Sequence, residues 1–412
     1  MRSFFKKHWG SLLALIALSL LVWFGQYYIG FLESLANRLF IIFILGLFWI
    51  LYYFWTELKA KKENDDIIDA LENNAKEEID YLTSRFQQVL DTLKQTVQRK
   101  RFGKNYLYEK PWYIIIGPPG CGKTTLLTNS SLNFHFKELG FDIETSGKGE
   151  TRNCDWTFTD EAVLLDTAGR YFSQDNEKKV DKLAWEGLLD LLKKHRQRRP
   201  INGVIVAFDI NQLMTEYDTE RKDHVNRMKL RFKELEEHLS VRLPVYCVFT
   251  KCDLIAGFRD CFDRFSPQDM GQIWGFTFPE RTEKTSEGVI GLFSREFDKL
   301  IERLNVQLLG RLQAEKGSVE RREKIFNFPQ QMASLKEPLN KFLTPIFTPS
   351  PFAKIEPFIL RGVFFTSGTQ EGSPLDVFIG GLKRSFNIID EGPIALEAVS
   401  YTHLTLPTIC SV

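Results

Sequence analysis

The sequence has almost no net charge and few cysteines, and each shortage weighs against a class of function. Lys and Arg total 54 and Asp and Glu total 53, so the formal net charge is +1. This balance offers no electrostatic basis for nucleic-acid binding, and we expect no nucleic-acid partner. The six cysteines form no CxxC pair, which excludes the common zinc-site patterns. Five of them lie between Cys121 and Cys261, where free thiols are typical of a reducing compartment.

Charged residues are also missing from two long stretches near the N-terminus. Residues 9 to 32 and residues 39 to 56 contain no Asp, Glu, Lys or Arg. Each stretch can cross a membrane as a helix, which takes about 20 residues. Because the first lacks an Ala-x-Ala cleavage site and the second follows at once, we predict a transmembrane hairpin over residues 1 to 57, not a signal peptide. Basic residues flank the hairpin at both ends, which predicts that the rest of the chain is cytoplasmic.

A helical pattern without glycine or proline covers residues 58 to 100, and we assign residues 58 to 105 to a connecting amphipathic helix. Its apolar residues recur at spacings of three and four. These are Leu71, Ala75, Ile79, Leu82, Phe86, Val89, Leu93 and Val97. We predict that this stripe packs on the chain's own domain. Pairing with a second subunit as a stalk is the alternative.

A strand, glycine-rich loop and helix come next, in the order that a phosphate-binding loop requires. The apolar strand covers residues 112 to 116. The predicted nucleotide-binding residues of the loop and helix start are Gly117, Pro118, Pro119, Gly120, Cys121, Gly122, Lys123, Thr124 and Thr125. Gly117 and Gly122 allow the backbone to wrap around phosphate oxygens, with N–H groups and the helix N-terminus directed at the anion. We predict that Lys123 reaches the outer phosphates and that the Thr124 hydroxyl binds Mg²⁺.

A second apolar strand ends in the sequence Asp-Thr-Ala-Gly, which resembles the switch sequence of GTPases. Asp166 is predicted to bind Mg²⁺ directly or through water, so Lys123, Thr124 and Asp166 form the candidate catalytic set. Gly169 is placed to offer its N–H to a terminal phosphate. Thr151, in a polar loop upstream, is a candidate metal ligand, and an ordinary loop threonine is the alternative.

The residue after this sequence is Arg170. Ras-like enzymes have a glutamine there, which orients the attacking water. An arginine cannot accept a proton or orient water in that way. We therefore predict at most slow hydrolysis of ATP or GTP, unless another residue or a partner supplies the missing group.

A third strand ends in Thr250-Lys251-Cys252-Asp253, which resembles the guanine-reading Asn-Lys-x-Asp motif with Thr in place of Asn. That resemblance implies that Asp253 accepts two hydrogen bonds from guanine and that the stem of Lys251 lies against the ring. Thr250, Lys251 and Asp253 are therefore the candidate base-binding residues.

Strands that alternate with helices indicate an α/β fold with a parallel-type sheet, here a P-loop GTPase-like domain over residues 106 to 255. Residues 256 to 350 show helical patterns, two of them separated by Pro329, and are assigned to a helical insertion or companion subdomain. A returning strand lies within residues 351 to 390, the end of the cytoplasmic domain. We infer that the helical segment interrupts the nucleotide domain; a separate domain after Ile255 is the alternative.

Over about residues 1 to 390 the chain resembles the TssM/IcmF family of secretion-system inner-membrane proteins. The resemblance rests on the hairpin and on six motifs: GPPGCGKTT at 117 to 125, TRNCDW at 151 to 156, DEAVLLDTAGRY at 160 to 171, RRPINGVIVAF at 198 to 208, FTKCDL at 249 to 254 and LRGVFFTSGTQEGSPLD at 360 to 376. It implies a multi-pass scaffold in the bacterial inner membrane, within a type VI secretion complex or its type IVB relative. An energy-transducing NTPase, and a membrane-anchored GTPase switch outside secretion, are the alternative functions.

The resemblance also implies partners and a cofactor. The implied partners are a TssL/DotU-like inner-membrane protein, a TssJ-like lipoprotein that would bind a periplasmic region missing here, and further copies in a membrane complex. It leans towards ATP, whereas the Thr-Lys-x-Asp sequence favours GTP, so both remain candidates, with Mg²⁺. The basic run over residues 193 to 199 is either a solvated helix end or a contact with anionic membrane lipid. Residues 398 to 412 resemble translated sequencing-adapter DNA, and we expect a non-native tail on a truncated chain.

Overall fold

The computed structural model describes residues 13, 15–24, 34–98, 107–130, 132, 154–174, 178–266, 272, 274–279, 288–348 and 358–368. The chain divides into two compact units, Met1–Asn74 and Ala75–Val412. The metal-ligand candidate Thr151 and the tail at 398 to 412 lie outside the described residues.

The described part of the first unit contains two apolar helical stretches. Helix α1, Leu35–Gln98, starts in this unit and includes the stretch Leu35–Tyr52, which has the length and the hydropathy needed to cross a membrane. Leu15–Phe24 is a shorter apolar helix. Among the described residues, α1 is the one helix that meets both criteria, so the first arm of the hairpin, residues 9 to 32, remains a prediction.

A single mixed sheet forms the centre of the second unit. Its seven described strands are β1 Trp112–Ile116, β2 Cys154–Phe158, β3 Val163–Thr167, β4 Gly203–Asp209, β5 Pro244–Thr250, β6 Gly275–Thr277 and β7 Ile359–Phe365. They lie in the order β2-β3-β1-β4-β5-β7-β6. The strands β3, β1, β4, β5 and β7 are parallel, and the edge strands β2 and β6 run antiparallel to their neighbours. The mixed α/β class is as predicted.

The central strands are apolar throughout because both faces of the sheet are covered. Consecutive side chains point to opposite faces, so Ile114 belongs to the larger apolar cluster and Ile115 to the smaller one. The helices after α1 are α2 Lys123–Thr128, α3 Gly169–Ser173, α4 Lys178–His195, α5 Ile210–Thr215, α6 Asp218–Leu239, α7 Phe258–Phe262, α8 Gly288–Ala314, α9 Val319–Ser334 and α10 Lys336–Phe347.

The helical segment lies between two adjacent strands of the sheet. Strand β7 pairs with β5 in parallel, with Val245 opposite Leu360, although α7 to α10 separate the two strands in sequence. The segment therefore interrupts the sheet-forming domain, as inferred from the returning strand. Strand β6 was not anticipated, because three residues give too short a pattern to recognise.

The prediction that Pro329 separates two helices is wrong. Helix α9 continues through Pro329 to Ser334, and the break comes at Leu335. Phe328 and Met332, on either side of the proline, are fully buried. Their burial stabilises the helix enough to offset the backbone hydrogen bond that a proline removes.

The C-terminal part of α1 packs on the α/β domain. Leu82, Phe86 and Val89 are buried and belong to its main apolar cluster. The Phe86 ring meets Trp112 edge-on at 5.9 Å and Trp156 at 5.7 Å between centroids. The stripe therefore packs on its own domain, as predicted.

Replacing Phe86 by Ala should lower the free energy of unfolding by about 3–5 kcal/mol, because it removes a fully buried ring and leaves a cavity. Phe326→Ala is the matched control, since that side chain is 53% exposed and its loss should change little. Urea unfolding of the detergent-solubilised chain, followed by tryptophan fluorescence, measures both. Equal effects of the two substitutions would contradict the packing of α1 described above.

Candidate functional site

The predicted motifs meet at one edge of the sheet. Parallel strands bring their carboxyl ends to the same edge, and the loops after β1, β3, β4, β5 and β7 all begin there. Two glycines show how closely these loops approach. A Cβ atom on Gly169 would lie 2.5 Å from Cα of Pro119, and one on Gly368 would lie 3.2 Å from Cγ2 of Thr125. The loop after β1 therefore contacts the start of α3, and the first turn of α2 contacts the loop after β7.

The conformation of the loop after β1 requires glycine at several positions. Gly120 and Gly122 have φ values of +70° and +84°, in the left-handed region that side chains disfavour. A Cβ on Gly117 would lie 2.2 Å from the carbonyl oxygen of Ala207 on β4. The glycines of the sequence pattern therefore occupy positions where the backbone conformation disfavours a side chain or a close neighbour leaves no room for one.

Lys123 is the first residue of α2 and lies across the loop. Its Nζ donates to the carbonyl oxygens of Gly117 and Pro118, at 3.0 Å each, and the side chain is buried. The Sγ of Cys121 lies 3.8 Å from the same nitrogen. Burial raises the pKa of the Cys121 thiol, although the nearby Lys123 opposes that shift. We therefore assign Cys121 a packing role, not a reactive one.

Thr124 and Asp166 form a pair of hard oxygen donors. The Thr124 hydroxyl donates to Oδ2 of Asp166 at 2.5 Å, and Asp166, near the end of β3, is buried. Hydroxyl and carboxylate oxygens suit Mg²⁺, which keeps water and phosphate oxygens as its remaining ligands. Within the described part of the chain, no group of three His, Cys, Asp or Glu side chains forms a metal site by itself. This donor pair fits Mg²⁺ only together with a phosphate.

The residues of the third motif have partners within the chain. The Thr250 hydroxyl lies 2.6 Å from the carbonyl oxygen of Cys121, which links the loops after β5 and β1. The Lys251 ammonium forms an ion pair with Asp209 at 2.8 Å. Asp209 also caps α5 by accepting a hydrogen bond from the Asn211 N–H. Asp209 was not singled out in the sequence, although it ends β4 and so lies at the sheet edge where the predicted motifs meet.

Asp253 is buried between two donors. Its Oδ2 accepts a hydrogen bond from Nη2 of Arg259 at 3.2 Å, and its Oδ1 accepts one from the hydroxyl of Ser367. Burial raises the pKa of Asp253, and the bonds from Ser367 and Arg259 counteract that rise. Ser367 lies in the loop after β7, and no sequence signal pointed to Arg259.

The Arg170 side chain is held by two acidic residues of neighbouring helices. Its guanidinium forms ion pairs with Glu78 of α1 and, at 2.6 Å, with Asp181 of α4. Glu78 also accepts a hydrogen bond from the Tyr171 hydroxyl. The residue after Asp-Thr-Ala-Gly therefore connects three helices of this unit. Nothing in its sequence neighbourhood predicted these partners.

Comparisons with known proteins identify the family. The model of the IcmF-related N-terminal domain matches residues 178–398, more than half of the chain. The type VI secretion system component TssM1 of Pseudomonas aeruginosa is 46% identical over 320 residues, 78% of this chain and 29% of that protein. The chain thus spans less than a third of the length of this relative.

Two more distant similarities involve a ribosome-biogenesis GTPase and an elongation factor. The small ribosomal subunit biogenesis GTPase RsgA of Mycoplasmopsis pulmonis is 31% identical over 96 residues, 23% of this chain and 35% of that protein. The crystal structure of a bacterial selenocysteine-specific elongation factor, EF-Sec, is 15% identical with a TM-score of 0.22, over 35% of this chain and 20% of that one. The structural similarity is too low to support an argument, and identification rests on the family match and on TssM1: the chain belongs to the TssM/IcmF family.

Proposed function

We propose that this chain is part of an inner-membrane scaffold subunit of a type VI secretion system whose α/β domain binds a nucleoside triphosphate with Mg²⁺. One observation supports nucleotide binding above the others. Lys123 and Thr124 begin the helix after a glycine-rich loop, and Asp166 lies within hydrogen-bond distance of Thr124. Three side chains of the types that phosphate chemistry needs therefore converge from two parallel strands.

The loop and Lys123 would bind the phosphates. Lys123 donates to two backbone carbonyls, and a phosphate oxygen would be a stronger acceptor for the same ammonium. Helix α2 has only six residues, so we assign the rest of the binding to loop N–H groups and not to a helix dipole. Gly169, packed against Pro119, would place its N–H near the terminal phosphate.

Thr124 and Asp166 would hold Mg²⁺, with Thr151 as a further candidate. When bound, this ion would neutralise charge on the outer phosphates. The buried position of Asp166 keeps its carboxylate beside Thr124. These two residues would thereby orient the triphosphate relative to Lys123.

The membrane hairpin is supported by the apolar stretch Leu35–Tyr52 and by one contact inside the first unit. The Arg38 guanidinium lies 5.1 Å from the centroid of the Trp23 ring, so the shorter apolar helix approaches α1. We infer a multi-pass inner-membrane protein with the α/β domain in the cytoplasm. A TssL/DotU-like protein, a TssJ-like lipoprotein and further copies of the chain are the proposed partners.

A passive or switching role is favoured over an energy-transducing one. Arg170 is paired with Glu78 and Asp181, so this position supplies no group that orients water. The alternative, an NTPase that drives assembly or transport, is favoured by the intact set of Lys123, Thr124 and Asp166.

Lys123→Ala should weaken binding of ATP and GTP analogues by at least about tenfold, because it removes the only charged donor proposed for the phosphates. Calorimetric titration of the full chain in detergent with Mg²⁺ measures the dissociation constants. Lys229→Ala, at an exposed lysine of α6, is the control and should bind as the wild type does. Equal binding by both variants would refute the assignment of the loop.

Thr124→Ala should remove most of the Mg²⁺-dependent gain in affinity while leaving Mg²⁺-free binding nearly unchanged, since only a metal ligand is lost. Thr128→Ala is the matched control, being an exposed threonine of the same helix. Nucleotide titration with Mg²⁺ and with a chelator provides the comparison. A Mg²⁺ effect that persists in Thr124→Ala would contradict the proposed ligand pair.

Turnover of the isolated chain should be on the order of 10⁻³ per second or slower, the range of GTPases without an added catalytic arginine. Phosphate release by wild type and Lys123→Ala is the measurement. A wild-type rate of several per second, absent from the Lys123→Ala variant, would favour the energy-transducing alternative.

A further inference from the structure

Two residues predicted to bind the nucleotide base, Lys251 and Asp253, already form ion pairs within the chain. Asp253 accepts a hydrogen bond from Arg259, and Lys251 forms an ion pair with Asp209. Arg259 belongs to α7, directly after the motif, and Ser367 follows β7. Two separate ion pairs thus involve two of the three residues that the sequence assigned to the base, Lys251 and Asp253.

These residues lie beside the candidate phosphate site. Thr250, three residues before Asp253, donates a hydrogen bond from its hydroxyl to the carbonyl oxygen of Cys121. The carbonyl oxygen of Gly368 accepts a hydrogen bond from the Asn129 side chain, which directly follows α2. The segments that carry Asp253 and Ser367 are therefore attached to the loop after β1 and to the end of α2, respectively.

Arginine and guanine offer a carboxylate the same kind of partner. A guanidinium presents parallel N–H donors that pair with the two oxygens of a carboxylate. The N1–H and 2-amino groups of guanine present an equivalent pair of donors. Adenine has an acceptor at N1, so it cannot replace a guanidinium on Asp253. Arg259 should compete with guanine and leave adenine unaffected.

Burial makes this competition strong. Asp253 is 2% exposed, and a buried carboxylate needs donors to replace water. Guanine could bind Asp253 only by displacing Arg259, which would then lose its own hydrogen bond. With Arg259 removed, Ser367 remains as one donor and guanine could supply the others.

We propose that Arg259 acts as an internal substitute for guanine on Asp253, so that the site binds purine nucleoside triphosphates through their phosphates with little preference for the base. This inference rests on the proposed nucleotide binding. Arg259 would then be a specificity-determining residue, and its loss should create selectivity for GTP.

The test compares GTP and ATP analogues, with Mg²⁺, on the full chain in detergent. In the wild type we expect dissociation constants within about threefold of each other, and in Arg259→Ala we expect GTP binding to tighten about tenfold with ATP unchanged. Arg259→Met, which keeps an aliphatic stem, should behave alike and serves if Arg259→Ala does not fold. Arg264→Ala is the matched control, because this arginine pairs with Glu315 instead; it should leave the ratio unchanged.

A second change identifies Asp253 as the acceptor. In the Arg259→Met background, Asp253→Asn should shift the preference from GTP to xanthosine triphosphate, whose 2-oxo group accepts the hydrogen bond that the asparagine amide donates. Selectivity for GTP in the wild type, or an unchanged ratio in both Arg259 variants that still bind nucleotide, would overturn the inference and leave the proposed function standing. Failure of the wild type to bind either nucleotide better than Lys123→Ala would overturn both.

Discussion

Parallel pairing of β1 between β3 and β4 is the constraint on which the rest of this domain depends. Because the three strands run in the same direction, their carboxyl ends reach one edge, and the loops that follow must share limited space there. Chain reversals are then left to helices on both faces, which explains why the central strands are apolar on both sides. The same alignment brings residues 117 to 124 and Asp166 together from positions far apart in sequence.

Close backbone contacts follow from this alignment. Gly117 lies against the backbone of Ala207, and Gly169 lies against Pro119, at distances that leave no room for a side chain. The Thr250 hydroxyl adds a bond to the loop at Cys121. These contacts support the loop from three neighbouring strands, so a phosphate would meet a largely preformed set of donors. Preformed donors are what a ligand site needs, whether or not hydrolysis follows.

Ion pairs within the chain distinguish the residues proposed to bind phosphate from those at the two positions that GTPases use for turnover and for base reading. Arg170 binds Glu78 and Asp181 at the position associated with turnover, and Asp253 binds Arg259 at the position associated with base reading. By contrast, the Lys123 ammonium donates to the carbonyl oxygens of Gly117 and Pro118 and lies 3.8 Å from the Cys121 sulfur. A phosphate can replace these neutral partners without breaking an ion pair. A nucleotide bound here would therefore be suited to a structural or switching part in a membrane scaffold.

Local sequence determined the elements with a strong periodic or glycine-dependent signal. The strand at residues 112 to 116, the strands that lead into the Asp-Thr-Ala-Gly and Thr-Lys-x-Asp sequences, and the apolar stripe of α1 are all where the pattern placed them, because each needs only a few neighbouring residues to be recognised. The family could be recognised for the same reason, from short motifs in a constant order. The order of the strands, the position of β7 beside β5 and the continuity of α9 through Pro329 were decided by tertiary packing. Tertiary packing also decided the partners of Asp253 and Arg170, because a side chain pairs with whatever the fold brings near it. Ser367 lies beside Asp253, and Glu78 lies beside Arg170, although the members of each pair are far apart in sequence.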